Sequence, residues 1–212
     1  MTTHPIGNVI NRFRQTLQPR AAAEPADGQL LDRFIEAQDE NAFEAIVRRH
    51  GPMVLGVCRR ILHNYHNAED AFQATFLVLA RKARSIRGRG VVAGWLYGVA
   101  VKTALRARTS VGRRYAREKQ VPDMPEPQVF PKDNYADLVP LLDQELNHLP
   151  EKYRLPIILR DLEGKGYEEA ARQLGWLPGT FAGRLSRARK ILAARLERRQ
   201  QRVTGVALPV PL

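Results

Sequence analysis

Residues 167–178 read Y-E-E-A-A-R-Q-L-G-W-L-P, and residues 179–196 continue with G-T-F-A-G-R-L-S-R-A-R-K-I-L-A-A-R-L. The first part predicts a short helix, because Glu168 and Glu169 stand in its first turn, where carboxylates favour the positive end of the helix dipole. Gly175 is expected to end that helix. Pro178 suits the first position of the next helix, since its missing N–H would have no intrahelical partner there. Two helices joined by so short a turn predict a helix-turn-helix.

The second of these helices separates an apolar face from a basic one. At 100° per residue, Phe181, Leu185, Ala188 and Leu192 share the face that should pack inward. A different face carries Thr180, Arg184 and Arg187, with Gly183 and Lys190 beside it, and these polar groups have the spacing needed to reach base edges and phosphates. A recognition helix for DNA accounts for this surface. A solvated basic helix without a partner is the alternative, which the preceding helix and tight turn disfavour.

Composition and charge point to a folded protein with a polyanionic partner. The 212 residues can hold one or two small domains, and 44% hydrophobic residues are enough to build cores. The net charge of +12 attracts polyanions. This charge is segmented, since residues 81–120 carry twelve Lys or Arg and one acidic residue, while residues 121–151 carry seven acidic residues and one Lys. No apolar run reaches the roughly 18 residues of a membrane span, and no secretory signal is visible, so a cytoplasmic location is expected.

Candidate catalytic and metal-binding groups are sparse. Cys58 lies in an apolar stretch that suits a core residue, and His63 and His66 are the one close histidine pair, without a second ligand cluster. Glu69 and Asp70 are adjacent and therefore point to different sides of their helix. We find no nucleophile with its base and no phosphate-binding loop in the sequence. We therefore expect no enzymatic activity, no catalytic residues, no metal and no cofactor.

The chain divides into two helical parts. We expect an N-terminal tail over residues 1–26, a helical domain over 27–111, a linker over 112–137, the helix-turn-helix domain over 138–200 and a C-terminal tail over 201–212. Asp39 is expected to cap a helix in the first domain, and four prolines between Pro122 and Pro131 mark the linker. No alternating strand pattern is present. The predicted fold is therefore all-α, with two small helical domains joined by a flexible linker.

Residues 68–84 predict a helix with two distinct sides, capped by Asn67. Spacing places Phe72, Phe76, Leu79 and Ala83 on the side that should be core. The opposite strip carries a mixture of acidic, amide, aliphatic and basic groups: Asp70, Gln73, Leu77 and Arg81. Since an Asp there would repel phosphate, this strip favours a protein-docking face over a DNA-facing one. An ordinary solvated face is the alternative.

Residues 91–108 read V-V-A-G-W-L-Y-G-V-A-V-K-T-A-L-R-A-R and combine an aromatic side chain with cations. Trp95, Lys102 and Arg106 share one face, where a ring could stack on unpaired bases while cations follow the backbone. The alternative is that Trp95 and Tyr97 belong to the core. The further candidates for phosphate contact, which together predict a steep salt dependence, are Arg108, Arg113, Arg114 and Arg117.

Four motifs, taken in order, resemble a bacterial RNA polymerase sigma factor of the extracytoplasmic-function (ECF) group. They are A-F-E-A-I-V-R-R-H-G-P-M-V, A-E-D-A-F-Q-A-T-F, G-W-L-Y-G-V-A-V-K-T-A-L, and L-P-E-K-Y-R followed by the helix-turn-helix. Each motif alone is weak, but the set in this order is specific. The resemblance covers about residues 28–200.

The resemblance implies a role for each surface. The strip with Asp70, Gln73 and Leu77 would dock on the clamp helices of the largest polymerase subunit, although Ala74 stands where the family usually has Glu. Trp95 and the cations that follow it would capture the non-template strand of the minus-ten element, with Lys102 where Asn is frequent. The second domain would read the minus-thirty-five element and sit on the flap of the second-largest subunit, with Ala182-Gly183 in place of Lys-Ser. Core RNA polymerase, promoter DNA and an anti-sigma factor are the implied partners.

A second hypothesis is a helix-turn-helix regulator that binds duplex DNA without polymerase. The docking strip and the linker discriminate the two hypotheses, since only a sigma factor would use them.

Overall fold

The computed structural model describes residues 25–86, 92–118 and 138–204, and every regular element in these ranges is helical, which confirms the all-α prediction. The first half comprises α1 (Asp27–Ala37), α2 (Glu40–Leu62), α3 (Tyr65–Lys82), a 3-10 turn (Ala83–Ser85) and α4 (Val92–Glu118). The second half comprises α5 (Leu138–Asn147), α6 (Glu151–Ile157), a π turn (Ile158–Leu162), α7 (Tyr167–Leu174) and α8 (Pro178–Thr204). Within the described ranges, no helix is both long and apolar enough to span a bilayer.

Side-chain caps define where the helices of the first half begin. The carboxylate of Asp39 accepts hydrogen bonds from the N–H groups of Asn41 and Ala42, which confirms it as the cap of α2. The prediction for α3 was wrong by one turn. The helix begins at Tyr65, and its cap is Asn64, whose side chain accepts from the N–H of Asn67. Asn64 has the extended backbone angles of a cap residue, so the helix boundary falls there. Asn67 lies inside the helix and donates its N–H to that cap.

The core of the first half forms where α2 crosses α3 and α4. Phe43 and Phe76 meet edge to face with ring centroids 6.5 Å apart, and both are buried. Cys58 is fully buried, as its apolar setting predicted. Burial raises the pKa of its thiol to about 12, so the group stays protonated and serves packing. The buried side predicted for α3 is also confirmed, since the structure buries Phe72, Phe76, Leu79 and Ala83.

The predicted start of the linker at residue 112 conflicts with the structure, because α4 continues to Glu118. The residues that prolong it include Ala116 and several arginines, which are good helix formers and outweigh the flexibility of Gly112. Likewise α8 continues to Thr204, beyond the boundary predicted at residue 200. The rest of the predicted linker and most of both predicted tails lie outside the described residues.

The second half is organised around α8. Phe181, Leu185 and Ala188 are buried and Leu192 nearly so, which confirms the inward face predicted for this helix. Gly175 ends α7 with a left-handed φ of 67°, and Pro178 opens α8, both as predicted. The π turn over Ile158–Leu162 begins two residues after Pro156 of α6. The proline ring removes one backbone N–H donor from the helix at that point.

The two halves pack against each other through α4, α5 and α6. Leu155 lies so close to Gly94 that a Cβ atom on the glycine would come within 2.5 Å of the leucine Cδ2. Nearby, Asp143 is buried and accepts hydrogen bonds from the Tyr97 hydroxyl at 2.8 Å and from Arg60 Nε and Nη2 at 3.0 and 2.8 Å. Tyr97 is therefore a core residue. Its burial and the neighbouring Asp143 carboxylate raise the pKa of the phenol, which stays a donor.

A second buried polar contact joins the halves at His50. Its Nδ1 lies 2.6 Å from a carboxylate oxygen of Glu163, and its Nε2 lies 3.0 Å from one of Asp27. Burial by itself lowers the pKa of His50, but the two carboxylates outweigh burial and raise the pKa to about 9. The pKa of Asp27 lies well below its usual range, because His50 and Arg49 outweigh the effect of its burial. His50 is therefore an imidazolium held between two carboxylates.

This raised pKa predicts a pH-dependent stability. A folded-state pKa of about 9 exceeds the ordinary value of 6.5, so the stabilisation from His50 is complete below pH 6.5 and is lost as pH rises through 9. We expect the free energy of unfolding, measured with urea, to fall between pH 6.5 and pH 9, and to fall less in His50→Gln. NMR titration of the His50 ring provides a check that needs no variant. Equal pH slopes for the two proteins, or a ring titrating near 6.5, would contradict the prediction.

Candidate nucleic-acid interface

The polar surface of α8 is open to solvent in the structure. Thr180, Gly183, Arg187 and Lys190 are exposed, and Arg184 is half-buried. The core face of the same helix is anchored by Phe181, which meets Tyr167 edge to face with centroids 5.9 Å apart. The five predicted site residues of this helix therefore lie on its outward surface, and Phe181 anchors the other side of the helix in the core.

Gly183 is not required by the packing of the protein itself. A Cβ atom added at this position would meet no atom within 4 Å, and its φ lies outside the left-handed region. A glycine inside a helix costs about 1 kcal/mol relative to alanine. The structure offers no internal compensation for that cost at Gly183. The position leaves the backbone of α8 accessible at the middle of its polar surface.

Other cations of α8 are committed to carboxylates of the same chain. Arg189 pairs with Asp161, with N–O distances of 2.5 and 3.2 Å. Arg195 and Arg199 lie 3.7 and 2.7 Å from the nearly buried Glu145 of α5. Their charge is locally compensated, which weakens their attraction for an external polyanion. The basic helix therefore has a region tied to the rest of the fold and, towards its N-terminus, a polar region facing solvent.

Two aromatic contacts on this surface were missed by the sequence analysis. The guanidinium of Arg184 lies over the ring of Trp176, with Cζ 4.1 Å from the ring centroid. The Arg187 guanidinium lies near the hydroxyl of Tyr153 on α6 and lowers the pKa of that phenol. The available sequence signal for the first contact is Trp176 itself, an aromatic residue in the turn two residues before α8 begins. The Tyr153 contact arises from tertiary packing and left no such signal.

The cations predicted on α4 form an exposed series. Lys102, Arg106, Arg108 and Arg113 are exposed, whereas the side chains of Arg114 and Arg117 lie outside the described residues. Trp95 is half-buried and packs against the core. Its burial is intermediate between the two alternatives, an exposed ring that stacks on bases and a core residue. The basic surface therefore extends along α4, with one partly accessible aromatic residue near its start.

The strip on α3 faces solvent on the side opposite the core. Asp70 is exposed, Leu77 is 39% exposed, and Gln73 is half-buried. Ala74, where the resembled family usually has a glutamate, is also half-buried. The strip thus combines an apolar, an acidic and an amide side chain within two helical turns.

Comparison with known proteins assigns the family. Residues 46–114 match the family model described as Sigma-70 region 2, and residues 141–192 match Sigma-70, region 4. The ECF RNA polymerase sigma factor SigM of Mycobacterium tuberculosis is 30% identical, over 80% of this chain and 84% of its own length. This chain is an ECF sigma factor. The recognition of the family from its four motifs is thereby confirmed.

A second curated relative agrees with this membership. The ECF RNA polymerase sigma-E factor of Haemophilus influenzae is 28% identical to this sigma factor, over 82% of the chain and 98% of its own length. The structure of CnrH in complex with the cytosolic domain of CnrY is similar at 24% identity, with a TM-score of 0.40, and the match covers 81% of this chain and 97% of that one. The region 2 match includes the α3 strip and the α4 cations as far as Arg114, and the region 4 match includes the polar surface of α8.

Proposed function

We propose that this sigma factor, which directs RNA polymerase to promoters, reads the minus-thirty-five element with α8 and the minus-ten element with α4, and docks on polymerase through α3. It acts through binding alone, without catalysis. The observation that carries the proposal is the outward surface of α8, where Thr180, Gly183, Arg184, Arg187 and Lys190 stand opposite a fully packed core face. A helix of this kind fits the major groove, and its cations suit phosphates and guanine edges.

The cations on α4 support contact with the minus-ten element. Lys102, Arg106 and Arg113 share one exposed side of a continuous helix, so they can track a strand backbone, and Arg108 is exposed on another side. Trp95 exposes part of its ring near the start of the same helix, where stacking on an unpaired base is worth roughly 1–3 kcal/mol. Several phosphate contacts predict that promoter binding weakens steeply with salt.

The α3 strip supports docking on polymerase and yields a direct test. We expect Asp70→Ala combined with Gln73→Ala to weaken the affinity for core polymerase about tenfold, since interface hydrogen bonds to a charged group contribute roughly 1.5–3 kcal/mol. Fluorescence titration of labelled sigma factor with core polymerase measures the affinity. Glu36→Ala, which removes an exposed acidic side chain from α1, is the matched control and should leave the affinity unchanged. Undiminished affinity in the double variant would refute the docking assignment.

The decisive experiment for the proposal is promoter-directed transcription. Purified core polymerase is supplied with sheared genomic DNA from the source organism, with and without the sigma factor, and the new 5′ ends are mapped. Start sites that share two upstream elements at constant spacing would support the proposal and provide the promoter. Start sites that share only one element would mean that either α4 or α8 does not read promoter DNA.

The alternative, a regulator that binds duplex DNA without polymerase, makes the opposite prediction. It requires sequence-specific binding by the protein alone and no co-elution with core polymerase. The exposed strip on α3 favours the sigma-factor mode, because such a regulator has no use for Asp70, Gln73 and Leu77. An anti-sigma partner, implied by the family resemblance, remains a prediction.

A further inference from the structure

One arginine on the polar surface of α8 is held by an aromatic side chain from outside the helix. Arg184 lies over the Trp176 ring, with Cζ 4.1 Å from the ring centroid. Trp176 lies in the turn between α7 and α8, outside the helix that carries Arg184. Arg184 is therefore held by a residue outside its own helix. A helix-turn-helix does not require an aromatic residue at the position of Trp176.

The backbone of Trp176 is anchored by the end of α7. Gly175 adopts φ 67°, its N–H donates to the carbonyl of Arg172 at 3.1 Å, and the N–H of Trp176 donates to the carbonyl of Ala171 at 2.8 Å. These two bonds form a Schellman motif, which fixes the direction of the chain as it leaves a helix. Trp176 therefore has little backbone freedom, and its side chain starts from a defined point.

The ring of Trp176 is also restrained by packing. It is half-buried and lies against the hydrophobic core, while its neighbour Leu177 is 76% exposed. The half-burial of Arg184, in contrast to the exposure of Arg187, reflects its position over this ring. Trp176 is thus a fixed platform, and the guanidinium rests on it.

Stacking of this kind leaves the donors of an arginine available. A guanidinium that contacts a ring through its planar face keeps its N–H groups at the edge of the plane, in the fork that matches a guanine edge or a phosphate. A long side chain restricted to one geometry before binding also loses less conformational entropy when DNA arrives. A platform under Arg184 should therefore improve both the affinity and the geometric selectivity of its contact.

We propose that Trp176 is a positioning residue that holds the Arg184 guanidinium over its ring and so sets base-pair selectivity at the upstream promoter element. This inference rests on the proposed reading of that element by α8. The ligand of the positioned group is duplex DNA, through a base edge with paired acceptors.

The test separates positioning from a purely structural role of the tryptophan. The full-length protein is assembled with core polymerase, and binding is measured on the promoter found by start-site mapping and on versions with each upstream base pair substituted. The variants are Trp176→Leu, Trp176→Phe and Arg184→Ala, together with Trp176→Leu in the Arg184→Ala background. Leu177→Ala is the matched control, since it removes an exposed apolar side chain from the same turn. Thermal unfolding of each variant reports on packing separately.

We expect Arg184→Ala to identify the base pair that this arginine discriminates. At that base pair, Trp176→Leu should reduce discrimination about two- to fivefold, in line with the strength of a cation–π contact at a partly exposed site. Trp176→Phe should restore most of the discrimination, and Leu177→Ala should leave it intact. In the Arg184→Ala background, Trp176→Leu should have no further effect on discrimination.

Three kinds of result would overturn the positioning role of Trp176, and each points to a different cause. If Trp176→Leu weakens binding equally on every sequence, or acts as strongly without Arg184, the tryptophan is structural and the positioning role is overturned. If Arg184→Ala relaxes discrimination but Trp176→Leu does not, the positioning role fails while the reading of the element by α8 stands. If Arg184→Ala retains full discrimination, Arg184 does not read a base, and the positioning role falls with it.

Discussion

Replacing His50 with alanine should lower the free energy of unfolding by about 3–5 kcal/mol, because it removes the buried cation that two carboxylates share. Arg49 at Asp27 and Lys165 at Glu163 remain, and they compensate the two buried charges only in part. His50 is fully buried between the carboxylates of Asp27 and Glu163, which are themselves 1% and 4% exposed at their side chains. The alanine leaves a cavity beside two buried carboxylates that no longer share an imidazolium. Urea-induced unfolding at neutral pH, followed by circular dichroism, measures the loss.

A control variant tests whether the loss of stability is specific to the buried His50. His66→Ala removes an exposed histidine and should cost little. Neutralising the three groups together with His50→Leu, Asp27→Asn and Glu163→Gln should recover part of the loss, since neutral replacements for buried ion pairs are often tolerated. The recovery is incomplete because Arg49 and Lys165 lose their carboxylate partners. A loss below about 1 kcal/mol for His50→Ala would mean that the cluster is hydrated and weak.

The same variant should affect both halves of the molecule. Asp27 opens α1, His50 belongs to α2, and Glu163 follows the π turn after α6. Loss of the imidazolium therefore weakens a contact between elements that are far apart in the chain. Hydrogen exchange in α1 and in residues 158–165 should accelerate together in His50→Ala.

Local signals were sufficient to predict the helix-turn-helix. Gly175 and Pro178 act within one or two residues of themselves, by backbone conformation and by a missing donor, and both perform the predicted role. The apolar spacing from Phe181 to Leu192 likewise determines which face of α8 is buried. Chemistry that acts over such short distances is visible in a sequence.

The contacts between the halves could not be predicted in this way. The partners of His50 lie 23 residues before it and 113 residues after it, so nothing in its own neighbourhood indicates two carboxylates. Asp143 meets Arg60 and Tyr97 over similar separations. Helix ends were uncertain for a related reason. The start of α3 depended on which of two nearby asparagines, Asn64 or Asn67, adopted the extended backbone of a cap.

Replacing Arg187 with alanine should weaken holoenzyme binding to its own upstream element by about 1–3 kcal/mol, or roughly five- to 150-fold, if this arginine reads a base. Arg187 is exposed on α8, while Phe181, Leu185 and Ala188 of the same helix are buried in the core. Binding is measured on the mapped promoter and on versions with single substitutions in the upstream element. A base-reading arginine predicts that the variant loses discrimination at one base pair.

Arg189→Ala is the matched control, because it removes the same charge two residues further along the same helix. Arg189 is already paired with Asp161, so its contribution to DNA binding should be smaller than that of Arg187. Equal losses for the two variants on all sequences would show that α8 contributes only general positive charge. A loss confined to Arg187→Ala, uniform across sequences and with the salt slope reduced by about one, would identify a phosphate contact. Base reading by Arg187 therefore requires both results together, a larger loss than for Arg189 and a loss that depends on the base pair.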